Sequence, residues 1–271
     1  MDLAIKGKTA VVTGADSGIG LATAKILAQE GVNLILVDKT TTELEEAVED
    51  VKSSTNAAGS VVSFTADLRK NDEVIKLAAY CKENFSGTDI LVHCAGIRGA
   101  AGDFLTLSDE DWWESIDVDL MSGVRVCRAF LPQMLAGKWG RIVLIASENA
   151  LQPYVEESPY NASKAGVINL TKCLSRAYSP RGVMINCVSP AFIATPMTDA
   201  MMEENAKEQG VSKEEAIQKF LKSERPNIVV DRRGKAEEVA AVIAFLCSDH
   251  ASYITGSNYR VDGGSVSTAF G

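Results

Sequence analysis

Short runs of consecutive apolar, often β-branched residues alternate along this chain with longer stretches of helical period. The runs are Thr9-Ala-Val-Val, Asn33-Leu-Ile-Leu-Val, Val61-Val-Ser-Phe, Ile90-Leu-Val-His, Arg141-Ile-Val-Leu-Ile, Val183-Met-Ile-Asn and Tyr259-Arg-Val. Amphipathic segments lie between them: Leu21 to Glu30, Glu43 to Lys52, Glu73 to Glu83, Asp109 to Leu135, Tyr160 to Tyr178 and Ala236 to Cys247. A strand that is apolar without alternation is buried on both faces, which requires a parallel sheet covered by helices. The pattern therefore predicts an α/β fold: a Rossmann-type, doubly wound parallel sheet of about seven strands with helices on both faces. Gly31 and Gly182 end helices just before strands, and no repeat or Pro/Ser-rich linker divides the chain, so residues 1–271 are expected to form a single domain.

Residues Thr195 to Val230 break the alternation and are rich in Met, Glu and Lys. They predict one or two helices outside the sheet. An excursion after a strand's carboxyl end is well placed to cover a ligand; a solvated amphipathic insert accounts for its charges equally well.

Composition narrows the function. With 46% hydrophobic and 23% charged residues the chain is an ordinary globular one. No run approaches the roughly 18 apolar residues of a membrane span, and the first residues lack the basic-then-apolar pattern of a signal peptide. The expectation is a cytoplasmic protein without a membrane partner. A net charge of −9 argues against nucleic acid, whose binding needs clustered Lys and Arg. Six cysteines without a Cys-x-x-Cys pair, and only two histidines, predict neither disulfide nor metal site, and His93 on a strand reads as a packed histidine.

The chemistry concentrates in two places. After the first predicted strand, Gly14, Ser17, Gly18, Ile19 and Gly20 form a glycine-rich turn running into a helix, where backbone amides and the positive helix end suit a pyrophosphate. Asp38 ends the second strand 24 positions after Gly14, near the spacing of a carboxylate that binds the adenosine ribose. Its charge would repel a 2′-phosphate, so NAD is expected over NADP, with Lys39 as a partial offset. Farther on, Tyr160 and Lys164 stand four apart, on one face of a predicted helix, thirteen residues beyond Ser147. A cation beside a phenol favours the phenolate, as a general acid/base requires.

In order and spacing these segments resemble the short-chain dehydrogenase/reductase family from Lys8 to Gly264. The resemblance rests on Thr13-Gly14-x-x-x-Gly18-Ile-Gly20, Asp67-Leu68, Cys94-Ala95-Gly96, Ser147, Tyr160-x-x-x-Lys164, Asn186-x-x-Ser-Pro190 and Ile254-Thr-Gly-x-x-x-x-Val-Asp-Gly-Gly264. It implies a homotetramer or homodimer that exchanges hydride between a nicotinamide and an alcohol or ketone. By resemblance, Asp67 and Leu68 border the adenine, Cys94, Ala95 and Gly96 lie beside the cofactor, and Pro190, Ile193 and Thr195 hold the nicotinamide amide. Tyr160 exchanges a proton with the substrate oxygen, Ser147 orients that oxygen, and Lys164 binds the nicotinamide ribose and lowers the tyrosine pKa.

The chain also departs from the family. Cys94 stands for the usual Asn of Asn-Ala-Gly, Ala191 for the Gly of Pro-Gly, and Asp119 for an Asn that helps hold a water in a proton relay to the lysine. Asp119 reads either as a relay member with altered pH behaviour or as part of a helix kink. Arg98, Glu148, Asn149, Tyr154, Phe192 and Met197 are candidates for the substrate pocket. A 3-oxoacyl thioester reductase using NADP(H), and a catalytically silent dinucleotide-binding scaffold, stand as alternatives.

Overall fold

The structure is a computed structural model that describes residues 2–54 and 59–269. Its seven-stranded sheet is built from β1 (Thr9–Thr13), β2 (Asn33–Asp38), β3 (Val61–Thr65), β4 (Ile90–His93), β5 (Gly140–Ile145), β6 (Val183–Pro190) and a last strand, Asn258–Val261. The order is β3, β2, β1, β4, β5, β6 and then the last strand, with every pairing parallel. Each strand coincides with one of the apolar runs. Successive residues explain why those runs do not alternate: Ala10, Val12, Leu34, Leu36 and Val143 enter one core, whereas Val11, Ile35, Val37, Ile142 and Leu144 enter the other. Both faces are dry, so both need apolar side chains.

Helices seal the two faces. One core is closed by α1 (Gly18–Gln29), α2 (Thr41–Ser54) and the helix Ala236–Cys247, through Leu27, Leu44, Val239 and Ile243. The other is closed by α3 (Asn71–Phe85), the helix Ser122–Gly137 and the helix Ser158–Tyr178, through Leu77, Phe130, Met134 and Val167. Strand order reverses between β1 and β4, which opens a crevice at the carboxyl ends of the strands.

The stretch expected as one helix from Asp109 to Leu135 is interrupted. α4 (Asp109–Ile116) passes through a wide turn, Asp117–Met121, before α5 (Ser122–Gly137) begins. In that turn the Ser122 amide donates to the Asp117 carbonyl, five residues back, and Asp119 is buried. The π-helix occurs mostly as single-turn insertions of this kind inside α-helices.

After α6 (Ser158–Tyr178), the excursion holds a two-residue strand β7 (Ile193–Ala194), then α7 (Pro196–Gln209) and α8 (Lys213–Ser223). It returns through β8 (Gly234–Lys235), which pairs with β7, before α9 (Ala236–Cys247) and β9 (Asn258–Val261). Met202, Leu221, Ile228 and Phe192 give it a small core of its own. Among the described residues no helix is long and apolar enough to cross a membrane.

Among the described residues Phe130 is the largest side chain wholly inside the core. Phe130→Ala should lower unfolding stability by about 3–5 kcal/mol, read from denaturant midpoints, because a cavity replaces the ring. A loss under about 1 kcal/mol would show that α5 does not seal this face.

Candidate active site

The crevice contains a cleft of about 420 Å³ lined by all the residues singled out above as cofactor-binding or catalytic. The end of it suited to a phosphate is the β1–α1 turn. Gly14 has φ +64°, and a Cβ there would sit 2.7 Å from the Ala95 amide nitrogen, so only glycine lets this turn close against the loop after β4. Ser17 occupies the N-cap of α1 without capping it; its hydroxyl donates instead to Asp16 Oδ1 at 3.1 Å. The first-turn amides of α1 are thus left for an anion, together with the positive helix end.

At the carboxyl end of β2, Asp38 Oδ1 accepts from the Lys39 amide at 2.6 Å. Burial holds the Asp38 carboxyl above its ordinary value, and the neighbouring charge of Asp16 adds to this. Asp16 is a site residue that sequence reasoning passed over; its place inside the glycine turn, opposite the end of β2, was the available signal. Beyond β3, Arg69 forks onto Asp67, with Nε donating to Oδ1 at 2.9 Å and Nη2 to Oδ2 at 2.8 Å. That hydrogen bonding lowers the Asp67 carboxyl to about 2. Arg69 also lines the cleft and was likewise missed.

The floor is formed where β4, β5 and α6 meet. Cys94 is a neutral thiol, pushed up to about 12 by burial. His93 is packed as expected: Nδ1 shares a hydrogen bond with Thr13 Oγ1 (2.8 Å) and Nε2 with Ser122 Oγ (2.9 Å), and burial drives its pKa down to about 3. Lys164 is buried; its Nζ donates to the Ile145 carbonyl at 3.1 Å and pairs with Asp119 Oδ1 at 3.4 Å. Asp119 Oδ1 also accepts from the Ile97 amide at 3.0 Å, while its Oδ2 has no hydrogen-bond partner among the described residues. A Cβ on Gly96 would come within 2.8 Å of that same Oδ1, so glycine admits the carboxylate here.

Tyr160 stands one helical turn before Lys164, the ammonium 5.5 Å from its ring centroid. Lys164 does pull the phenol downward, as the spacing predicted, but the net direction is upward: burial is the larger effect, and Asp119 and Glu157 add negative charge. Ser147, at the end of β5, lies near enough to the phenol to favour its ionised form. Burial disfavours charge on Lys164 as well, yet Asp119 and Tyr160 outweigh it and its pKa is raised, so the ammonium persists. The Asp119 carboxyl is itself raised, by burial above all.

The substrate side corrects the sequence reading. Of the six pocket candidates only Met197 lines the cleft. Glu148 and Asn149 are buried, Tyr154 stacks on Arg225, and Phe192 belongs to the core of the excursion. Ile97, Glu114, Val118, Ala191 and Thr198 contribute walls instead. Among the described residues no cluster of His, Cys, Asp or Glu could hold a metal ion.

Comparison with known proteins agrees with this geometry. The model of a family described as enoyl-(acyl carrier protein) reductase matches residues 14–266. The uncharacterized oxidoreductase YvrD of Bacillus subtilis is 35% identical over 98% of this chain and 99% of its own. The chain is a short-chain dehydrogenase/reductase. Another relative of this oxidoreductase, D-beta-hydroxybutyrate dehydrogenase of Rhizobium meliloti, is 33% identical over 95% of this chain and 98% of its own. L-Sorbose reductase from Gluconobacter frateurii, solved with NADPH and L-sorbose, superposes with a TM-score of 0.92 at 34% identity, covering 99% of this chain and 100% of that one.

Asp119 is the position where this short-chain dehydrogenase/reductase can be probed most simply. Asp119→Asn removes a charge that disfavours the Tyr160 phenolate, so the Tyr160 ionisation, and any pH–rate profile it governs, should move to lower pH, by about half a unit or more. A pH–rate profile that does not move would place Asp119 outside the proton network and leave it a structural part of the turn.

Proposed function

We propose that the protein transfers hydride between NAD(H) and a secondary alcohol or ketone, with Tyr160 as general acid/base. The observation that carries this reading is one cleft whose floor joins Ser147, Tyr160 and Lys164 and whose far end presents two acids, Asp16 and Asp38. The amides at Gly18 to Gly20 suit the pyrophosphate, Asp38 the adenosine ribose, Asp67 and Leu68 the adenine edge, and Pro190, Ile193 and Thr195 the nicotinamide amide. When bound, the cofactor supplies hydride exchange with the substrate carbon.

The protein's own residues manage the proton. In oxidation, the Tyr160 oxygen takes the proton of the substrate hydroxyl while Ser147 fixes that oxygen by a hydrogen bond. In reduction, the Tyr160 hydroxyl returns the proton to the carbonyl oxygen. Lys164, held charged by Asp119 and the Ile145 carbonyl, steadies the phenolate in both directions. Asp119 completes the relay from the cleft to Lys164.

Two carboxylates at the ribose end disfavour a 2′-phosphate, and the Arg69 guanidinium is committed to Asp67. Both features support NAD. A relative 34% identical to this chain, the 3-oxoacyl-[acyl-carrier-protein] reductase FabG of Thermotoga maritima, favours a second reading, reduction of a 3-oxoacyl thioester with NADP(H), in which Lys39 would meet the extra phosphate. The reading further takes the protein to be a cytoplasmic homo-oligomer that associates through α4, α5 and α6, where Trp113 on α4 is 66% exposed.

Tyr160→Phe tests the proposal. With a panel of D-3-hydroxybutyrate, xylitol and other secondary alcohols, NADH formation should fall by about 10²–10⁴-fold while NAD binding persists. Turnover that survives the substitution would remove Tyr160 as the proton carrier. Oxidation should also accelerate as pH rises, because the phenolate is the base, and reduction should slow over the same range.

A further inference from the structure

Arg225 follows α8, within the excursion, and its side chain is only 10% exposed. The guanidinium carbon lies 3.4 Å from the Tyr154 ring centroid and 4.9 Å from that of Phe220, so the cation is held between aromatic faces. It also faces two carboxylates: Nε is 3.6 Å from Glu148 Oε1, and Nη2 donates to Glu157 Oε1 at 3.4 Å. Glu148 directly follows Ser147, and Glu157 is the N-cap of α6, three residues before Tyr160.

A hydrogen-bonded chain runs from there to the candidate catalytic serine. Glu157 Oε2 accepts from Asn149 Nδ2 at 2.6 Å, and the same amide donates to Asn161 Oδ1 at 2.9 Å. Asn149 Oδ1 accepts from Ser147 Oγ at 3.2 Å, and the Asn149 backbone amide donates back to that hydroxyl at 3.2 Å. We infer that Arg225 is a positioning residue for the reacting hydroxyls: by bridging Glu148 and Glu157 it clamps residues 147–157 onto the start of α6 and ties the excursion to Ser147 and Tyr160. The inference rests on the proposed roles of Ser147 and Tyr160.

The clamp is electrostatic as well as mechanical. The groups that bear on Tyr160 are Lys164, Asp119, Glu157 and Ser147, and Glu157 acts against the phenolate. The Glu148 side faces Tyr154, Ser265 and the charge of Asp262. Arg225 balances Glu157, so losing the guanidinium leaves that carboxylate free to push the phenol upward. A residue that merely packed against Tyr154 would not act through Glu157.

The test is a ¹³Cζ-tyrosine NMR titration of the full chain, with the Tyr160 resonance assigned by its loss in Tyr160→Phe. Arg225→Met should raise the Tyr160 pKa by about half a unit to one unit, and Arg225→Lys should hold it near wild type. Adding Glu157→Gln to Arg225→Met should cancel the rise. Glu157→Gln alone, with Arg225 intact, should lower the pKa and serves if the Arg225 variants fail to fold. An unmoved pKa in Arg225→Met, a rise that Glu157→Gln does not cancel, or no fall in Glu157→Gln alone would overturn the inference. The titration needs no turnover, so the activity of Tyr160→Phe judges the proposed function separately.

Discussion

An ammonium group sealed inside a protein costs several kcal/mol unless anionic and carbonyl oxygens replace its water, and the floor of this cleft is organised around that constraint at Lys164. β5 ends with the Ile145 carbonyl turned to the ammonium, and the wide turn between α4 and α5 supplies the Asp119 carboxylate. The same Asp119 oxygen receives the Ile97 amide, so the loop after β4 is fixed by the group that fixes the lysine. Gly96 leaves the room this requires. Tyr160, one turn earlier on α6, is thereby placed between a lasting positive charge and two acids, Asp119 and Glu157. Its ionisation is a contest between burial and charge rather than the result of one neighbour.

The two ends of the cleft then differ in electrical character. The phosphate end offers uncapped helix amides, with Asp16 and Asp38 just beyond them where a ribose would lie. The catalytic end holds a buried cation with balancing carboxylates. A protein of net charge −9 would repel a dinucleotide in general, so local donors have to overcome the overall field. The proposed preference for NAD follows from that economy of positive charge: Lys39 stands next to Asp38, and Arg69 is engaged by Asp67.

Much of this architecture was legible in the sequence because a parallel strand buried on both faces leaves an unbroken apolar run. Val11 and Val12 face opposite cores, and neither can be polar. The residues that share the cleft were legible for a related reason: glycine at close backbone approaches, and Tyr160 and Lys164 on one helical face, are constraints of spacing. The rest was hidden where spacing carries no direction. The π insertion at Asp117–Met121 is flanked directly by helix on both sides, with no Gly or Pro within it to mark it, and β7 and β8 are too short to show a period. Glu148 and Asn149 were assigned to the substrate by adjacency to Ser147, but the short helical turn they begin carries them into the interior, toward Arg225 and Glu157. Asp16 carried a signal in its place inside the glycine turn, whereas Arg69 is a loop residue that only its folded surroundings show to line the cleft.

The most direct measurement is a pair of calorimetric titrations of the intact protein with NADH and NADPH under identical salt and pH. The two acids at the ribose end predict that NADH binds more tightly, by about tenfold or more, an energy of about 1.4 kcal/mol. Equal affinities, or tighter binding of NADPH, would contradict the account and turn attention to Lys39 as a phosphate ligand.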